Sequence, residues 1–438
     1  MRLLDTLGGW IRPKRKPAAA GARASLDKRA PWSSERDVPV SRLPRFSRAA
    51  SETVDAHASP GLRADRGRLS TAFTPSQPIS DLRGFVGREQ IFGKLIRAIE
   101  DQRMHLVIYG ERGIGKTSIL HVLSALAREA RYLVRYNSCS EQSGFDETFR
   151  AIARDIPLLY HRDYDPASPE AEGGGTLADT LDARPLSPSH LADAFDRLVG
   201  TRLLIILDEY DRSQAKGFRE SVAELIKTLS DRSAKVQIII GGVAGNLTEL
   251  VEHIPSIRRN VIGMPLTRMS AEEVRQIVIN GEQRSGLHFD EAAQALVVTA
   301  SQGSPYIANL LGHYAGSRAL DRLGKTVTGE DVADGIADVV EELRARLSIA
   351  GLRQLDLINR LLPAPIIRSM ALHALAHSGS IESADVTAVS ELVTHAPDRA
   401  QMIDESGVFR FIDDGLPLVL WLSMLVPINT PVSNSPQA

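Results

Sequence analysis

Residues 110–118 place glycine, lysine and hydroxyl side chains at a spacing suited to binding phosphate. They read Gly-Glu-Arg-Gly-Ile-Gly-Lys-Thr-Ser, which fits the pattern G-x-x-x-x-G-K-[ST]. The glycines let backbone N–H groups crowd around phosphate oxygens, where a Cβ would collide. Lys116 can reach the β- and γ-phosphates of a nucleotide, and the Thr117 hydroxyl can hold Mg²⁺. The predicted phosphate-binding residues are Gly110, Gly113, Ile114, Gly115, Lys116, Thr117 and Ser118.

A second site with chemical potential is the acidic pair Asp208 and Glu209, which directly follows the apolar residues 203–207. Five consecutive apolar residues suit a parallel strand buried on both faces, and open α/β sheets bind ligands beyond the carboxyl ends of such strands. We expect Asp208 to orient the Mg²⁺ shell. We expect Glu209 to polarise the water that attacks a γ-phosphate. Asp211 is interpreted as a helix cap or salt-bridge partner.

The elements around these motifs predict a parallel sheet with helices. An apolar strand at 105–109 leads into the glycine-rich loop, and a helix at 118–129 follows it. Buried strands alternating with amphipathic helices are typical of α/β folds with parallel sheets. The other predicted core elements are strands at 132–137, 202–207, 236–240 and 261–264, and helices at 89–101, 145–159 and 218–229.

A family resemblance appears at Phe85-Val86-Gly87-Arg88-Glu89, ahead of the glycine-rich loop. Together with that loop and the Asp-Glu pair, this segment resembles the motifs of AAA+ and STAND ATPases, especially the branch similar to origin-recognition and archaeal-type ATPases. The resemblance implies ATP and Mg²⁺ as ligands, and it places Val86, Gly87 and Arg88 near the adenine. On spacing alone, Arg88 is equally well an ordinary surface arginine.

The resemblance also implies further contacts to the γ-phosphate. The family carries a polar sensor at the end of the strand predicted at 236–240, but here that strand runs into Gly241-Gly242-Val243. Asn246 is the nearest candidate, and it suits an N-cap equally well. The family also places an arginine that reaches a neighbouring subunit's γ-phosphate just before the last strand. Arg258 or Arg259 could be this arginine. Alternatively, the two are an ordinary pair of surface arginines.

From residue 270 onward the pattern is helical, and residues 267–350 resemble the small helical lid of these ATPases. The predicted helices span 270–283, 290–300, 305–320 and 329–347. Gly303-Ser304-Pro305 matches the lid turn whose proline packs on adenine in the STAND branch. Tyr306 stands where many AAA+ relatives carry arginine. We therefore expect Pro305 and Tyr306 to contact the nucleotide, with lid closure depending on stacking.

Residues 351–427 resemble the winged-helix domain that follows the lid. Helices at 352–361, 366–377 and 383–395 precede a predicted hairpin at 402–411 and a helix at 417–425. Residues 351–438 hold five Lys/Arg and nine Asp/Glu, a net charge of −4. Phosphate neutralisation supplies much of any DNA affinity, so this acidic unit is less suited to DNA than to packing on the core or a protein partner.

Three segments have compositions typical of disorder: 1–78, the insert 163–189, and 428–438. The insert alternatively faces a partner. Residues 1–50 carry twelve Lys/Arg against four Asp/Glu, a net charge of +8. This tail is either solubilising or a tether to nucleic acid or anionic lipid. No apolar segment reaches the ~18 residues of a membrane span, and the single cysteine excludes an internal disulfide framework. The expected location is the cytoplasm.

The sequence thus predicts an α/β P-loop NTPase core at 79–266, a helical lid and a C-terminal winged-helix-like domain. Three functions stay open. One is an ATPase whose slow hydrolysis drives conformational change in a partner protein or nucleic acid, with self-association as an option. The second is a slow or non-hydrolysing nucleotide-gated switch or assembly scaffold. The third is a DNA-binding regulator.

Overall fold

A five-stranded parallel sheet forms the centre of the structure, a computed structural model that describes residues 60–75, 77–79, 82–251, 259–377, 379–381 and 409–426. The strand order is β2-β3-β4-β1-β5. All its pairings are parallel, which confirms the predicted sheet. The strands are β1 (His105–Gly110), β2 (Leu133–Ser138), β3 (Leu203–Asp208), β4 (Val236–Val243) and β5 (Val261–Pro265).

Both faces of the sheet are buried, as the continuous apolar strands predict. Successive side chains point to opposite faces, so Leu204 and Ile206 pack toward one cluster, and Leu203, Ile205 and Leu207 toward the other. Helices cover both faces. They are α2 (Glu89–Glu100) and α3 (Lys116–Glu129) on the first face, and α4 (Phe145–Arg154) and α7 (Phe218–Asp231) on the second.

The predicted flexible insert at 163–189 is corrected by the structure. It contains the short helix α5 (Pro169–Glu172) and a turn at Leu177–Thr180, and it leads into α6 (Pro188–Asp196). Leu177 and Leu186 are buried in the same apolar cluster as α4 and α7. Burial of these two leucines offsets the conformational entropy that is lost when the segment becomes ordered. Its glycines and prolines had suggested disorder.

The predicted disordered tail, 1–78, also requires correction, because α1 spans Pro60–Ala72. Leu69 and Phe73 are fully buried among the lid helices. Two lid glycines make the space: a Cβ on Gly281 or Gly312 would lie 2.0 or 2.4 Å from the Phe73 ring. Leu69 and Phe73 alone do not create a sustained helical periodicity of apolar residues, so the sequence pattern did not predict this helix. Residues 1–59 lie outside the described part.

The lid contains the four helices predicted for it and a two-stranded parallel ladder. Helix α9 (Ala271–Ser285) begins at a capping box, in which the side chains of Ser270 and Glu273 each accept a hydrogen bond from the other residue's backbone N–H. The other lid elements are α10 (Glu291–Ser301), α11 (Pro305–Asp321), α12 (Gly329–Ala345), β6 (His288–Phe289) and β7 (Thr326–Val327). The short helix α8 (Leu247–Val251) precedes β5 in the core.

The C-terminal unit packs on the lid, where Trp421 Nε1 donates to Ala300 O at 3.1 Å. The predicted helix at 383–395 and most of the predicted hairpin lie outside the described residues. The described end of that hairpin pairs antiparallel with residues 380–381 instead, so a winged helix is not confirmed. No described helix is long and apolar enough to cross a membrane. The elements are α13 (Ile349–Leu361), α14 (Ala364–Ala376), β8 (Ser380–Ile381), β9 (Phe409–Arg410) and α15 (Leu416–Leu425).

Candidate nucleotide site

A cavity of about 810 Å³ lies at the carboxyl edge of the sheet, between the core and the lid. This volume falls within the ~300–1,000 Å³ typical of small-molecule sites. The structure brings most of the predicted site residues together here. The lining includes Val86, Arg88, Gly113, Ile114, Gly115, Lys116, Thr117, Ser118, Asp208, Glu209, Asp211, Pro305 and Tyr306.

The P-loop has the backbone that its glycines predict. Gly113 and Gly115 adopt left-handed φ values of 76° and 95°, and α3 begins at Lys116. The N-terminus of α3 therefore lies at the cavity, which Gly115, Lys116 and Thr117 line, an arrangement that favours anions. Gly110 is absent from the lining. A Cβ there would lie 2.6 Å from Leu266 O, so this glycine allows the chain after β5 to approach.

Lys116 is buried at the base of the cavity, with an exposed fraction of 9%. Its Nζ donates to Gly110 O at 2.8 Å and to Glu111 O at 2.6 Å. Burial lowers the pKa of its ammonium, while nearby carboxylates, Asp211 foremost and then Asp208, oppose that shift. The lysine is thus held at the loop that would receive phosphate.

Asp208 is 3% exposed, and both of its carboxylate oxygens accept hydrogen bonds. Oδ1 accepts from Glu209 N at 2.8 Å, and Oδ2 accepts from the Tyr136 hydroxyl at 2.5 Å. Burial, and secondly the bond to Asp208, raises the pKa of Tyr136. The His121 ring stacks on Tyr136 at 4.5 Å. Tyr136 was not predicted as a site residue, because no sequence pattern near it indicates that it will contact Asp208 on the neighbouring strand.

Glu209 sits beside Asp208 in a left-handed conformation, with φ of 52°. This backbone costs a non-glycine residue about 1–2 kcal/mol, and it turns the side chain out from the strand. Oε2 accepts from Ser138 Oγ at 3.1 Å and from Arg212 Nη1 at 2.8 Å. Neither partner was identified from the sequence. The predicted base is therefore at the cavity, held by two polar neighbours.

Arg88 also lines the cavity and is 7% exposed, so it is not a surface arginine. Its Nη2 donates to Thr267 O at 2.9 Å, and its backbone N donates to Glu273 Oε1 at 3.3 Å. Burial lowers its pKa, and Glu273 opposes the shift. Nη1 has no hydrogen-bond partner among the described residues. Gly87, with φ of 74°, is not in the lining but packs near Met269 and Glu273.

The lid turn reaches the P-loop itself. Pro305 Cγ lies 3.5 Å from where a Cβ on Gly115 would be, and Tyr306 Cβ lies 3.8 Å from a Cβ on Gly113. The Tyr306 hydroxyl accepts a hydrogen bond from Arg346 Nη1 at 2.9 Å. A cation from the end of α12 thus contacts the residue that replaces the family's arginine. Because Tyr306 and Arg346 are far apart in the sequence, no local pattern predicted this pairing.

Three predicted site residues lie elsewhere or outside the description. Asn246 is exposed, directly before α8, and does not line the cavity. Arg258 falls outside the described residues. Arg259 is exposed just before β5. Because β5 runs parallel to β1 with Val261 beside His105, Arg259 lies at the sheet edge opposite the P-loop. It cannot serve its own nucleotide site, and its role in a neighbour's site stays a prediction.

The described residues fit a magnesium nucleotide. Arg88 Nη1, without a hydrogen-bond partner among the described residues, is a buried donor, and Arg88 and the P-loop residues both line the cavity. Thr117 and Asp208 would supply hard oxygen ligands of the kind that Mg²⁺ prefers. Within the described ranges, no group of three or more His, Cys, Asp or Glu is arranged so that it could hold a metal ion.

Comparisons with known proteins agree with this geometry. Residues 84–240 match the family model of the AAA ATPase domain. This chain contains an AAA ATPase domain. The resemblance inferred from the motifs is therefore confirmed for that segment, and the AAA domain carries the P-loop and the Asp-Glu pair.

Solved structures similar to the chain lie at low identity, and none of the curated proteins matches it. The Thermotoga maritima RuvB Holliday junction branch migration motor is 17% identical, with 76% of this chain and 94% of that chain covered and a TM-score of 0.42. Aeropyrum pernix Orc1 in complex with DNA is 17% identical, with 82% and 96% covered and a TM-score of 0.45. Pyrobaculum aerophilum Cdc6p is 15% identical, with 81% and 97% covered and the same TM-score, 0.45.

Proposed function

We propose that this protein binds ATP with Mg²⁺ and hydrolyses it slowly, using nucleotide state to change the arrangement of lid and core. The observation that carries the proposal is the convergence of Lys116, Asp208 and Glu209 on one cavity. A buried ammonium, a metal-orienting acid and an adjacent candidate base are the three groups that phosphoryl transfer to water requires.

Each group has a defined task. Lys116 would leave the loop carbonyls it now contacts and neutralise the β- and γ-phosphates. Thr117 and Asp208 would hold Mg²⁺, which offsets the charge of the triphosphate. Glu209 would orient the attacking water and accept its proton. The electrostatic contribution would be largest at Lys116 and Asp208, which are buried, because charges interact more strongly there than in water.

Contacts between core and lid provide a route from nucleotide state to conformation. Arg268, between β5 and α9, forms an ion pair with Glu111 of the P-loop at 2.6 Å and donates to Gln302 O at 3.0 Å. Pro305 and Arg88 add contacts from each side of the cavity. A ligand that moves the loop would alter these contacts, and so bias the lid.

A second candidate function is the nucleotide-gated switch with very slow turnover. The two hydrogen bonds to Glu209 Oε2 favour it, since Arg212 and Ser138 hold the carboxylate in one orientation and limit how it can turn toward an attacking water. Both candidates involve a protein partner or self-association, and nucleic acid remains a predicted partner of the basic tail. The DNA-binding regulator has no observation in its favour among the described residues.

The test compares nucleotide binding with phosphate release in the full chain. Lys116→Ala should abolish binding of a fluorescent ATP analogue, whereas Glu209→Gln should retain binding and lose phosphate release. Lys227→Ala and Glu224→Gln are matched controls, because both side chains are exposed on α7. Wild-type hydrolysis in Glu209→Gln would show that another group is the base. Undiminished ATP binding by Lys116→Ala would refute the proposed site.

A further inference from the structure

Asp211 occupies the position at the end of β4 where the resemblance led us to expect a polar sensor. Its Oδ1 accepts a hydrogen bond from Val243 N at 2.8 Å. Gly242 provides the space, because a Cβ there would lie 3.1 Å from the same oxygen. The Asp211 backbone is also fixed, since its carbonyl accepts from Arg219 Nη2 at 2.8 Å. The missing side chain of the strand is thus replaced by a carboxylate from the turn after β3.

This carboxylate belongs to a residue of the candidate nucleotide cavity. Asp211 lines the same cavity as Lys116, Gly113 and Thr117. Asp211 is therefore not the cap or surface ion-pair partner predicted from the sequence, but a charge within the candidate site.

A fixed negative charge here has a defined consequence for nucleotide binding. If Lys116 binds the β- and γ-phosphates, as the proposed function requires, the γ-phosphate adds negative charge close to Asp211. Like charges at short range repel each other, and more so in a partly buried site than in water. A divalent cation on the phosphates offsets that repulsion. A diphosphate is less affected, because it lacks the added group.

We propose that Asp211 is a specificity-determining residue that makes ATP binding at this site depend on a divalent cation. It holds a fixed carboxylate at the end of β4, so that ATP without the cation is disfavoured relative to both Mg-ATP and ADP. The inference rests on the proposed nucleotide site, but not on hydrolysis, because it concerns binding alone.

The experiment titrates the full-length protein with mant-ATP and mant-ADP, each in millimolar Mg²⁺ and in EDTA. Asp211→Asn removes the charge and keeps an oxygen for Val243 N. We expect it to tighten mant-ATP in EDTA about tenfold, while mant-ADP and Mg-mant-ATP change less than about threefold. Asp231→Asn is the matched control, since Asp231 is exposed at the end of α7, toward the opposite sheet edge. Its titrations should equal those of the wild type.

Two further variants separate charge from structure. Asp211→Glu should keep the cation dependence, and Asp211→Ala should relax it as Asp211→Asn does. An affinity for cation-free mant-ATP that is unchanged in Asp211→Asn would overturn the inference. So would a general loss of binding in Asp211→Ala alone, which indicates a purely structural role. If wild type binds no nucleotide, or Lys116→Ala binds as wild type does, the proposed function fails as well. If Lys116→Ala abolishes binding but Asp211→Asn binds every nucleotide as the wild type does, this inference fails and the proposed function stands.

Discussion

The Tyr136 hydroxyl donates a 2.5 Å hydrogen bond to Oδ2 of Asp208 across the β2–β3 pair. The bond connects the candidate metal-orienting acid to the edge strand. Because Asp208 is 3% exposed, its charge depends on such donors for stabilisation. Hydrogen bonds to charged groups contribute about 1.5–3 kcal/mol.

Removing this donor should destabilise the AAA domain through Asp208. Tyr136→Phe should lower the apparent Tm by several degrees, at roughly 2–4 °C per kcal/mol for a domain of this size. The same substitution in an Asp208→Asn background should have a smaller effect, since the charge is gone. Thermal unfolding followed by circular dichroism measures all four proteins. Equal effects in both backgrounds would mean that the bond to Asp208 is not what Tyr136 contributes.

Phe73 should be essential for the docking of α1 on the lid. Its ring is fully buried against Gly281 and Gly312, and truncation of a buried phenylalanine typically costs 3–5 kcal/mol. Phe73→Ala should therefore lower the Tm of the lid transition and expose residues 60–72 to limited proteolysis. Thr71→Ala, at an exposed position of α1, is the control. Resistance to cleavage in Phe73→Ala equal to that of the wild type would contradict this docking.

His105 should make stability sensitive to acid. Burial lowers its pKa to about 4 from 6.5, and its Nδ1 accepts a hydrogen bond from Ile238 N at 2.9 Å. In the unfolded chain, the His105 imidazole becomes protonated as pH falls through 6.5, whereas in the folded chain it stays neutral until pH approaches 4. Stability is therefore complete above pH 6.5 and is lost as pH falls toward 4, by up to about 3 kcal/mol.

The His105→Asn variant isolates this effect from other acid-sensitive groups. The variant keeps an acceptor for Ile238 N but cannot titrate. We expect the Tm difference between wild type and variant to shift in favour of the variant between pH 7 and pH 4.5. A difference that is constant across this range would show that His105 does not titrate on unfolding.

Arg259 and Arg258 should act on a neighbouring subunit if the protein self-associates. Arg259 lies at the sheet edge opposite its own P-loop, so a contribution to hydrolysis must come in trans. The Arg258→Ala/Arg259→Ala variant should be inactive, and so should Lys116→Ala. Mixing them should restore part of the activity, because each Lys116→Ala subunit can donate arginines to an intact P-loop. Activity of the double variant alone equal to that of the wild type would exclude the trans role, and so would no recovery at any mixing ratio.

The sequence predicted the features that depend on local spacing. The P-loop backbone follows from Gly113 and Gly115, whose left-handed φ values favour glycine, and the buried parallel strand follows from the apolar residues 203–207. Asp208 and Glu209 reach the cavity because the carboxyl ends of parallel strands share one edge. These relationships are short in sequence, so one pattern is sufficient to identify them.

Tertiary structure decided which distant side chains complete the site. Tyr136 meets Asp208 only through strand register, Arg346 meets Tyr306 only through the packing of α11 and α12, and Asp211 reaches the end of β4 only because Gly242 leaves space. The helix at 60–72 likewise depends on a groove that the lid supplies. Each of these contacts joins segments whose proximity arises from packing of the whole chain, and no local pattern of residue types records it.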